Sequence, residues 1–435
     1  MTSTRRIRPT ARRATSILAA LCVAAAAAGC TVEDKKSPTT PSGSNAPAIS
    51  AVAPGVAADS IRIGVVYPDF AALKPFVNLD AGDFEVAYKA LIAKLNAAGG
   101  INDRKIVPVF AKINLLAPAS TQETCVKLTE DEKVFAVLGM LPIADQTSCY
   151  VQAHKTALIG GAMPAALYAQ AQAPWFTDID GDASAKAVDA LAAHGDLKDR
   201  KVAVVADTQG QTDAENILLP ALKRNGVTPV ATGYLASTVG DPAATQQQGT
   251  VLLQKARTAG ADTILLTGGA ASQIPAILEK SDWRPRLLFS LNPSGYTQDK
   301  GRHDFGTLTG SVVVNPVLDW TEPQIVDCVH TVEQADPSLT GKLVDPTTVA
   351  PGLPTPGGSV QTACINLSLF KSIAGKAGKD LNYNSFQQAG FGLGKYRLPN
   401  YRDDATYARQ TPSGALPFRV QAYEPGTNRF IAVPS

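Results

Sequence analysis

From Ser60 onward, short runs of β-branched and other apolar residues alternate with stretches of roughly 12 to 18 residues whose apolar positions recur at helical spacing. "IRIGVVYP" reads as a buried strand, and "DFEVAYKALIAKLNAAGG" as an amphipathic helix closed by Gly99 and Gly100. "KIVPVFAKIN" is the second strand. "STQETCVKLTEDEK" opens a helix on Ser120, with Glu123 at capping-box spacing, and "VFAVLGM" is the third strand. Strand, helix, strand, helix in that order predicts an α/β doubly wound parallel sheet.

The alternation restarts after Asp182. "KVAVVADT", "VTPVATGYL", "ADTILLTGG" and "RPRLLFSL" read as strands, with helices at about 213–225, 243–259 and 272–280. Two α/β units of similar size suit a ligand held between lobes. The length agrees, because a chain this long exceeds the usual size of one compact core.

The N-terminal region follows a different pattern. Arg5, Arg6, Arg8, Arg12 and Arg13 precede an apolar run that ends near Gly29, too short for the roughly 20 residues a membrane span needs. A positive segment, a short apolar segment and small residues before a cut site describe a secretory signal over residues 1–29. Ala27-Ala28-Gly29-Cys30 resembles a bacterial lipobox, in which Cys30 carries lipid and becomes the mature N-terminus. Ala27 stands where that pattern prefers Leu, which leaves plain secretion with cleavage near Gly29 as the alternative. Arg12-Arg13 leaves the export route open. Residues 30–59 are polar and rich in Pro, Ser and Thr, and read as a solvated tether. Loss of the five arginines would turn the formal charge of +2 to about −3, and no basic patch argues for nucleic acid.

Cysteine usage agrees with export. With Cys22 removed and Cys30 lipidated, Cys125, Cys149, Cys328 and Cys364 remain. They pair most economically as Cys125 with Cys149 and Cys328 with Cys364, although four cysteines permit three connectivities. No CxxC or Cys/His spacing suggests a metal.

The segments "LIAKLNAAGGINDRKIVPVFA" and "CVKLTEDEKVFAVLGM" resemble the opening of type I periplasmic solute-binding proteins of the branched-chain amino-acid-binding branch. Asn96, Gly99, Gly100, Ile101, Arg104 and Ile106 match that family's N-x-x-G-G-I-x-G-R-x-I pattern, and Asp103 stands where it often has Gly. "KVAVVADTQGQTDAENILLPALKRNGVTPVATGYL" is similar to the first strand, helix and strand of the second lobe. "FQQAGFGLGKYRL" and "FRVQAYEPGTNRFIAV" resemble the closing segment. The resemblance implies two lobes joined by a hinge, with lobe 1 at 60–180 plus 296–378 and lobe 2 at 181–295 plus 379–435. Cysteines placed like Cys125 and Cys149 recur in the family's first lobe. The Pro- and Gly-rich segment from Ser338 to Ser359 would be a surface insertion on lobe 1, bracketed by Cys328 and Cys364 on successive helices.

Catalytic constellations are missing: there is no GxSxG elbow, HExxH helix or P-loop. His154, His194, His303 and His330 lie far apart and read as surface or capping residues. "DIDGDAS", 178–184, spaces carboxylates alternately but lacks the rest of a calcium loop, and reads as a polar interlobe connection. Binding chemistry is expected instead at the carboxyl ends of parallel strands. In lobe 1 these ends supply Tyr67, Asp69 and Phe70, then Met140, Leu141, Pro142 and Ile143, then Gly160, Gly161, Ala162 and Met163. In lobe 2 they supply Asp207, Thr208 and Gln209, then Gly268 and Gly269, then Asn292 to Tyr296. Amino-acid binders of the family hold a carboxylate with hydroxyls and backbone amides, and an ammonium with an acid. Here hydroxyls are missing after the third and fourth strands, so Thr147, Ser148 or backbone amides would serve, and Asp207 is the candidate for a cationic group. Tyr67, Phe70, Trp175 and Tyr296 are candidates to stack on a solute.

The expected function is a lipid-anchored, extracytoplasmic solute-binding protein of an ABC importer, with a small-molecule solute and permease subunits as partners and no cofactor, catalytic residue or metal. A sensor or adaptor lipoprotein not coupled to transport is the rival. An exported hydrolase lacks its nucleophile and base.

Overall fold

A computed structural model describes residues 53–73, 80–117, 119–141, 146–236, 241–290, 292–297, 303–350 and 353–433. The expected signal, Cys30 and the expected tether as far as residue 52 lie outside them, as do Pro142 and Ile143. Among the described residues, no helix is long and apolar enough to cross a membrane.

Two sheets form. The first has the order β2-β1-β3-β4-β5, made of β1 (Ser60–Pro68), β2 (Lys105–Ile113), β3 (Ala136–Gly139), β4 (Ala157–Gly160) and β5 (Trp175–Phe176), all parallel. The second has the order β14-β13-β10-β9-β8-β6-β7. Its parallel part is β6 (Val202–Asp207), β7 (Ala231–Leu235), β8 (Thr263–Leu266), β9 (Arg286–Phe289) and β10 (Val312–Asn315). β13 (Arg419–Glu424) and β14 (Arg429–Ala432) extend it antiparallel. A small antiparallel ribbon joins β11 (Gly394–Tyr396) to β12 (Ala405–Tyr407).

The central parallel strands are apolar because both faces are covered, whereas the edge strands β2, β7, β13 and β14 keep exposed or half-exposed positions. In the first sheet Ile63, Val65, Leu138 and Ile159 point into one core while Val66, Val137 and Leu158 point into the other. In the second, Val205, Ile264, Leu266 and Phe289 face one side, and Val204, Leu265, Leu288 and Val314 the opposite side. The expected doubly wound α/β architecture is therefore present in both lobes.

The lobe boundaries expected from the sequence are displaced. Val312–Asn315, assigned to lobe 1, pairs with β9 and β13 in the second sheet. Leu381, Tyr383, Phe386, Leu398, Tyr407 and Leu416, assigned to lobe 2, are buried in the first lobe's core. The physical reason is apolar area: the helix Tyr383–Phe391 presents Tyr383 and Phe386 to Phe135, with ring centroids 5.2 and 5.4 Å away. Residues 55–57, expected in the tether, contact the first lobe instead. Val56 bridges Ile61, Arg62 donates its N–H to the Gly55 carbonyl at 2.8 Å, and Arg104 Nε reaches the Ala57 carbonyl at 2.9 Å.

The Asn-Gly-Gly motif now has a mechanical explanation. The Asn96 side chain donates to the Ile106 carbonyl at 2.9 Å and accepts from its N–H at 2.7 Å, locking the end of helix Phe84–Ala97 to the start of β2. Gly100 has φ +80°, and a Cβ there would lie 1.9 Å from the Arg104 carbonyl oxygen. Asp103 sits at φ +68°, the left-handed region that explains a glycine at this position in related sequences. The expected capping box is not formed. The helix begins at Ala119, and the Ser120 hydroxyl instead accepts the N–H of Asn114, one residue beyond β2, at 2.9 Å.

Both disulfides connect neighbours in sequence, Cys125 with Cys149 and Cys328 with Cys364. The second joins helices Pro323–Ala335 and Gly357–Ala377 around the Pro- and Gly-rich insertion. That insertion docks on the first lobe, with Leu343 buried and the Thr355 N–H donating to the Asp80 carbonyl at 3.1 Å.

Replacing Gly100 with Ala should cost about 2 kcal/mol or more, because the turn must open to admit a Cβ in a left-handed conformation; denaturant unfolding reads this as a lower midpoint with an unchanged slope. Replacing Cys328 and Cys364 together with Ala frees the 36-residue separation they span and should cost about 3–4 kcal/mol, seen as a lower thermal midpoint under non-reducing conditions only.

Candidate solute-binding cleft

Parallel sheets place loops and helix starts at their carboxyl edge, and a crevice opens where neighbouring strands lead off in opposite directions. In the first sheet that point lies between β1 and β3, and in the second between β6 and β8. The sequence-predicted residues gather at these edges. Tyr67, Asp69 and Phe70 follow or end β1, Met140 and Leu141 follow β3, and Gly160, Gly161 and Ala162 end or follow β4. Asp207, Thr208 and Gln209 end or follow β6, Gly268 follows β8, and Asn292 follows β9.

The first lobe's edge is built by close backbone approach. Gly139 has φ +148°, and a Cβ there would lie 1.8 Å from the Val66 carbonyl oxygen; at Gly160, φ +109°, it would lie 2.3 Å from the Gly139 carbonyl oxygen. Glycine is thus required for β1, β3 and β4 to end side by side. Met140 and Ala162 are partly exposed there, while Leu141, Gly161 and Met163 are buried. Thr147 is fully buried, whereas Ser148 remains partly exposed.

The aromatic candidates divide. Tyr67 is buried, stacks on Phe84 at 5.4 Å and donates its hydroxyl to Glu85. Burial, with the Glu85 carboxylate beside it, pushes the Tyr67 hydroxyl well above its ordinary range. Glu85 is held below its usual value by Lys89, at 2.8 Å, and then by Tyr67. Trp175 is buried core, its indole N–H donating to the Gly160 carbonyl at 2.9 Å. Tyr296 is buried in the second lobe, its hydroxyl bonded to Glu279 at 2.7 Å and Thr307 at 2.9 Å. Stacking by Trp175 or Tyr296 is therefore ruled out by packing in this structure. Of the four, Phe70 alone is partly exposed, 6.1 Å from the Phe84 ring.

Asp207 also departs from its expected role. Its two carboxylate oxygens accept the backbone N–H groups of Gly210 at 2.8 Å and Gly269 at 2.9 Å, and the residue is 9% exposed. It therefore fastens the β6 turn to the β8 turn rather than facing a cationic solute. Gly268, at φ +61°, lies so close that a Cβ would meet Asp207 Oδ1 at 2.5 Å. Thr208 and Gln209 are exposed on this edge, and Asn292 is partly exposed.

Two carboxylates not among the predicted binding residues lie beside the interlobe connection. Asp182 occupies the N-cap position of helix Ala183–His194, and Asp213 ends the short helix Gln211–Asp213 that follows β6. Burial raises both above the ordinary carboxylate range, with Asp180 adding to the shift of Asp182 and Asp182 to that of Asp213. Asp182 belongs to the "DIDGDAS" run, whose other acids are spent locally: Asp178 accepts the Tyr401 hydroxyl at 2.8 Å, and Asp180 pairs with Lys186. Among the described residues the only metal-like grouping is Cys125, Cys149 and His154, whose cysteines are already bonded to each other. His154 and His194 pair with Glu130 and Asp196. His303, expected at the surface, is instead enclosed between Tyr296 and Phe305 and bonded to Glu279 at 2.7 Å.

Recesses also occur away from these edges. One of about 870 Å³ runs between the two disulfide-linked helical segments and is lined by Asn114, Thr121, Gln122, Ser148 and Gln152. Another of about 420 Å³ lies over the Cys328–Cys364 bridge. Neither contains a strand-end candidate, and neither combines residues of both lobes.

A pair of doubly wound parallel sheets in this order has a known counterpart. The model of the periplasmic binding protein family matches residues 60–300. The chain belongs to that family. No curated protein matches the chain. Among solved structures, a periplasmic binding protein type 1 from Bordetella pertussis Tohama I superposes with a TM-score of 0.62 at 15% identity, covering 87% of this chain and 100% of that one. An ABC transporter substrate-binding protein from Desulfitobacterium hafniense, in complex with Leu, gives 0.59 at 16% identity, with 86% and 100% covered. A solute-binding protein of an ABC transporter from R. palustris, in complex with 4-hydroxybenzoate, gives 0.63 at 14% identity, with 87% and 96% covered. At such identities the likeness shows a shared type I binding-protein fold.

Asp207→Asn keeps one carbonyl oxygen for two backbone donors and leaves the other N–H short of an acceptor. It should cost about 1–3 kcal/mol, measured by guanidinium unfolding.

Proposed function

We propose that this protein captures a small organic solute between its two lobes and delivers it to the permease subunits of an ABC importer. The observation that supports this most directly is the pair of carboxyl edges, one per lobe, each shaped by glycines and backbone contacts and each carrying exposed or half-exposed groups. The first edge presents Phe70, Met140 and Ala162, and the second presents Thr208, Gln209 and Asn292. Apolar contact from one lobe and neutral hydrogen-bonding groups from the other suit a solute of mixed character, such as an amino acid, an amide or a related organic molecule. Tighter affinity for the closed arrangement would shift the lobes toward closure, and the closed form is what a permease would read. The reading places the protein outside the cytoplasm, held to the membrane by lipid on Cys30, and assigns it no catalytic step and no cofactor.

A thermal-shift screen of the full chain against L-leucine, L-isoleucine, short amides, short-chain acids and 4-hydroxybenzoate tests this. A true ligand at a hundred times its dissociation constant adds about 2.7 kcal/mol of stability and raises the melting temperature by mass action. The same compound should reduce the radius of gyration in small-angle scattering. A panel that changes neither quantity would defeat the proposal.

A further inference from the structure

The lobes are linked by three segments: 177–182 from β5, 316–322 from β10, and 408–418 into β13. The second of these pairs antiparallel with residues 400–402 of the first lobe. Leu318 faces Tyr401, the Arg402 N–H donates to the Val317 carbonyl at 3.0 Å, and the Asp319 N–H to the Asn400 carbonyl at 2.8 Å. The first segment is outside that ladder. Its backbone pairs with Met163 and with Pro412 of the third segment, and two hydroxyls tie its start to the first lobe, Tyr401 donating to Asp178 Oδ2 at 2.8 Å and Tyr407 to the Thr177 carbonyl at 3.0 Å. Residues 400–402 therefore hold two linking segments at once, one through the backbone groups of Asn400 and Arg402 and the other through the Tyr401 side chain.

Asp178 is an unusual acceptor to find there. It is partly buried, and among the described residues it has no ion pair. The titratable groups that face it are Tyr88 from helix Phe84–Ala97, Tyr401 and Tyr407, and Tyr396 stands behind Tyr407. None of these supplies a positive charge. Further along the same segment, Lys186 is engaged by Asp180, and Asp182 faces Asp213. Asn400, next to Tyr401, is fully buried at φ +66°, a conformation held by its surroundings rather than preferred by the residue.

We propose that Asp178, gripped by Tyr401 between the linking segments, is a proton-responsive element of the hinge. The sign follows from linkage. Burial raises Asp178 above the ordinary carboxylate range, and the Tyr401 bond lowers it by less. A lobe arrangement that hydrates Asp178 would return it toward that range, near 4. Protonation thus favours the arrangement described here. As the pH rises through the raised value the buried charge becomes a cost, and the population moves toward an arrangement that wets the carboxylate. Removing the Tyr401 hydroxyl deletes the contribution that favours the charged form, so the transition should move to higher pH.

This inference rests on the two lobes moving about the linking segments, and its test needs no solute, so its failure is distinguishable from failure of solute capture. Donor and acceptor dyes on non-natural amino acids at Val326 and Val251, both exposed and in different lobes, report interlobe distance by energy transfer between pH 4 and 8. The otherwise unaltered protein should show a sigmoidal change, Asp178→Asn should flatten it, and Tyr401→Phe should raise its midpoint by about half a unit or more. A flat profile in the parent, or an unchanged profile in Asp178→Asn, overturns the proposal. If Asp178→Asn does not fold, the Tyr401→Phe midpoint decides, and no upward shift also overturns it.

Discussion

A parallel sheet buried on both faces can express polar chemistry only at its ends, and that constraint organises this molecule. Val66, Val137 and Leu158 lie in one core and Val65, Leu138 and Ile159 in the other, so the central strands leave no position free for a binding group. Every candidate is thereby displaced to the carboxyl edge, where the backbone itself is the construction material. The glycines at 139 and 160 allow adjacent chains to end almost in contact. In the second lobe a carboxylate performs the equivalent task, Asp207 gathering two turns by their N–H groups.

That economy explains why aromatic and acidic residues at strand ends are poor guides to the ligand. A charged or hydroxyl-bearing side chain near an edge meets unsatisfied backbone donors and acceptors before it meets a solute, and a buried one must be paired. Asp207, Tyr67 and Tyr296 are all consumed in this way. The exposed remainder is chemically mild, consistent with a fold whose binding strength comes from enclosure between lobes rather than from any single strong contact.

The linking segments obey a different logic. Backbone pairs hold them in place, and tyrosine hydroxyls add contacts to the first of them, one of which ends on a carboxylate whose acceptor strength varies with ionisation. The Cys328–Cys364 bridge and the docked insertion brace the first lobe.

The fold and much of the edge were legible in one dimension. Unbroken apolar strands, helical periodicity and the Gly99-Gly100 stop all arise from local sterics and from burial period, which the order of residues specifies directly. Asn96 and Gly100 could be picked out for the same reason. The partition of the C-terminal third was not legible, because Val312–Asn315 and Tyr383–Phe391 are apolar segments with no local preference for one lobe over the other; the available core surface chose. Nor did a linear reading show that Asp207 is a clamp, that Trp175 and Tyr296 are core, or that Asp178 meets Tyr401 from 223 positions away. Those outcomes depend on which groups come within about 3 Å of one another, and only the folded arrangement of distant segments decides that.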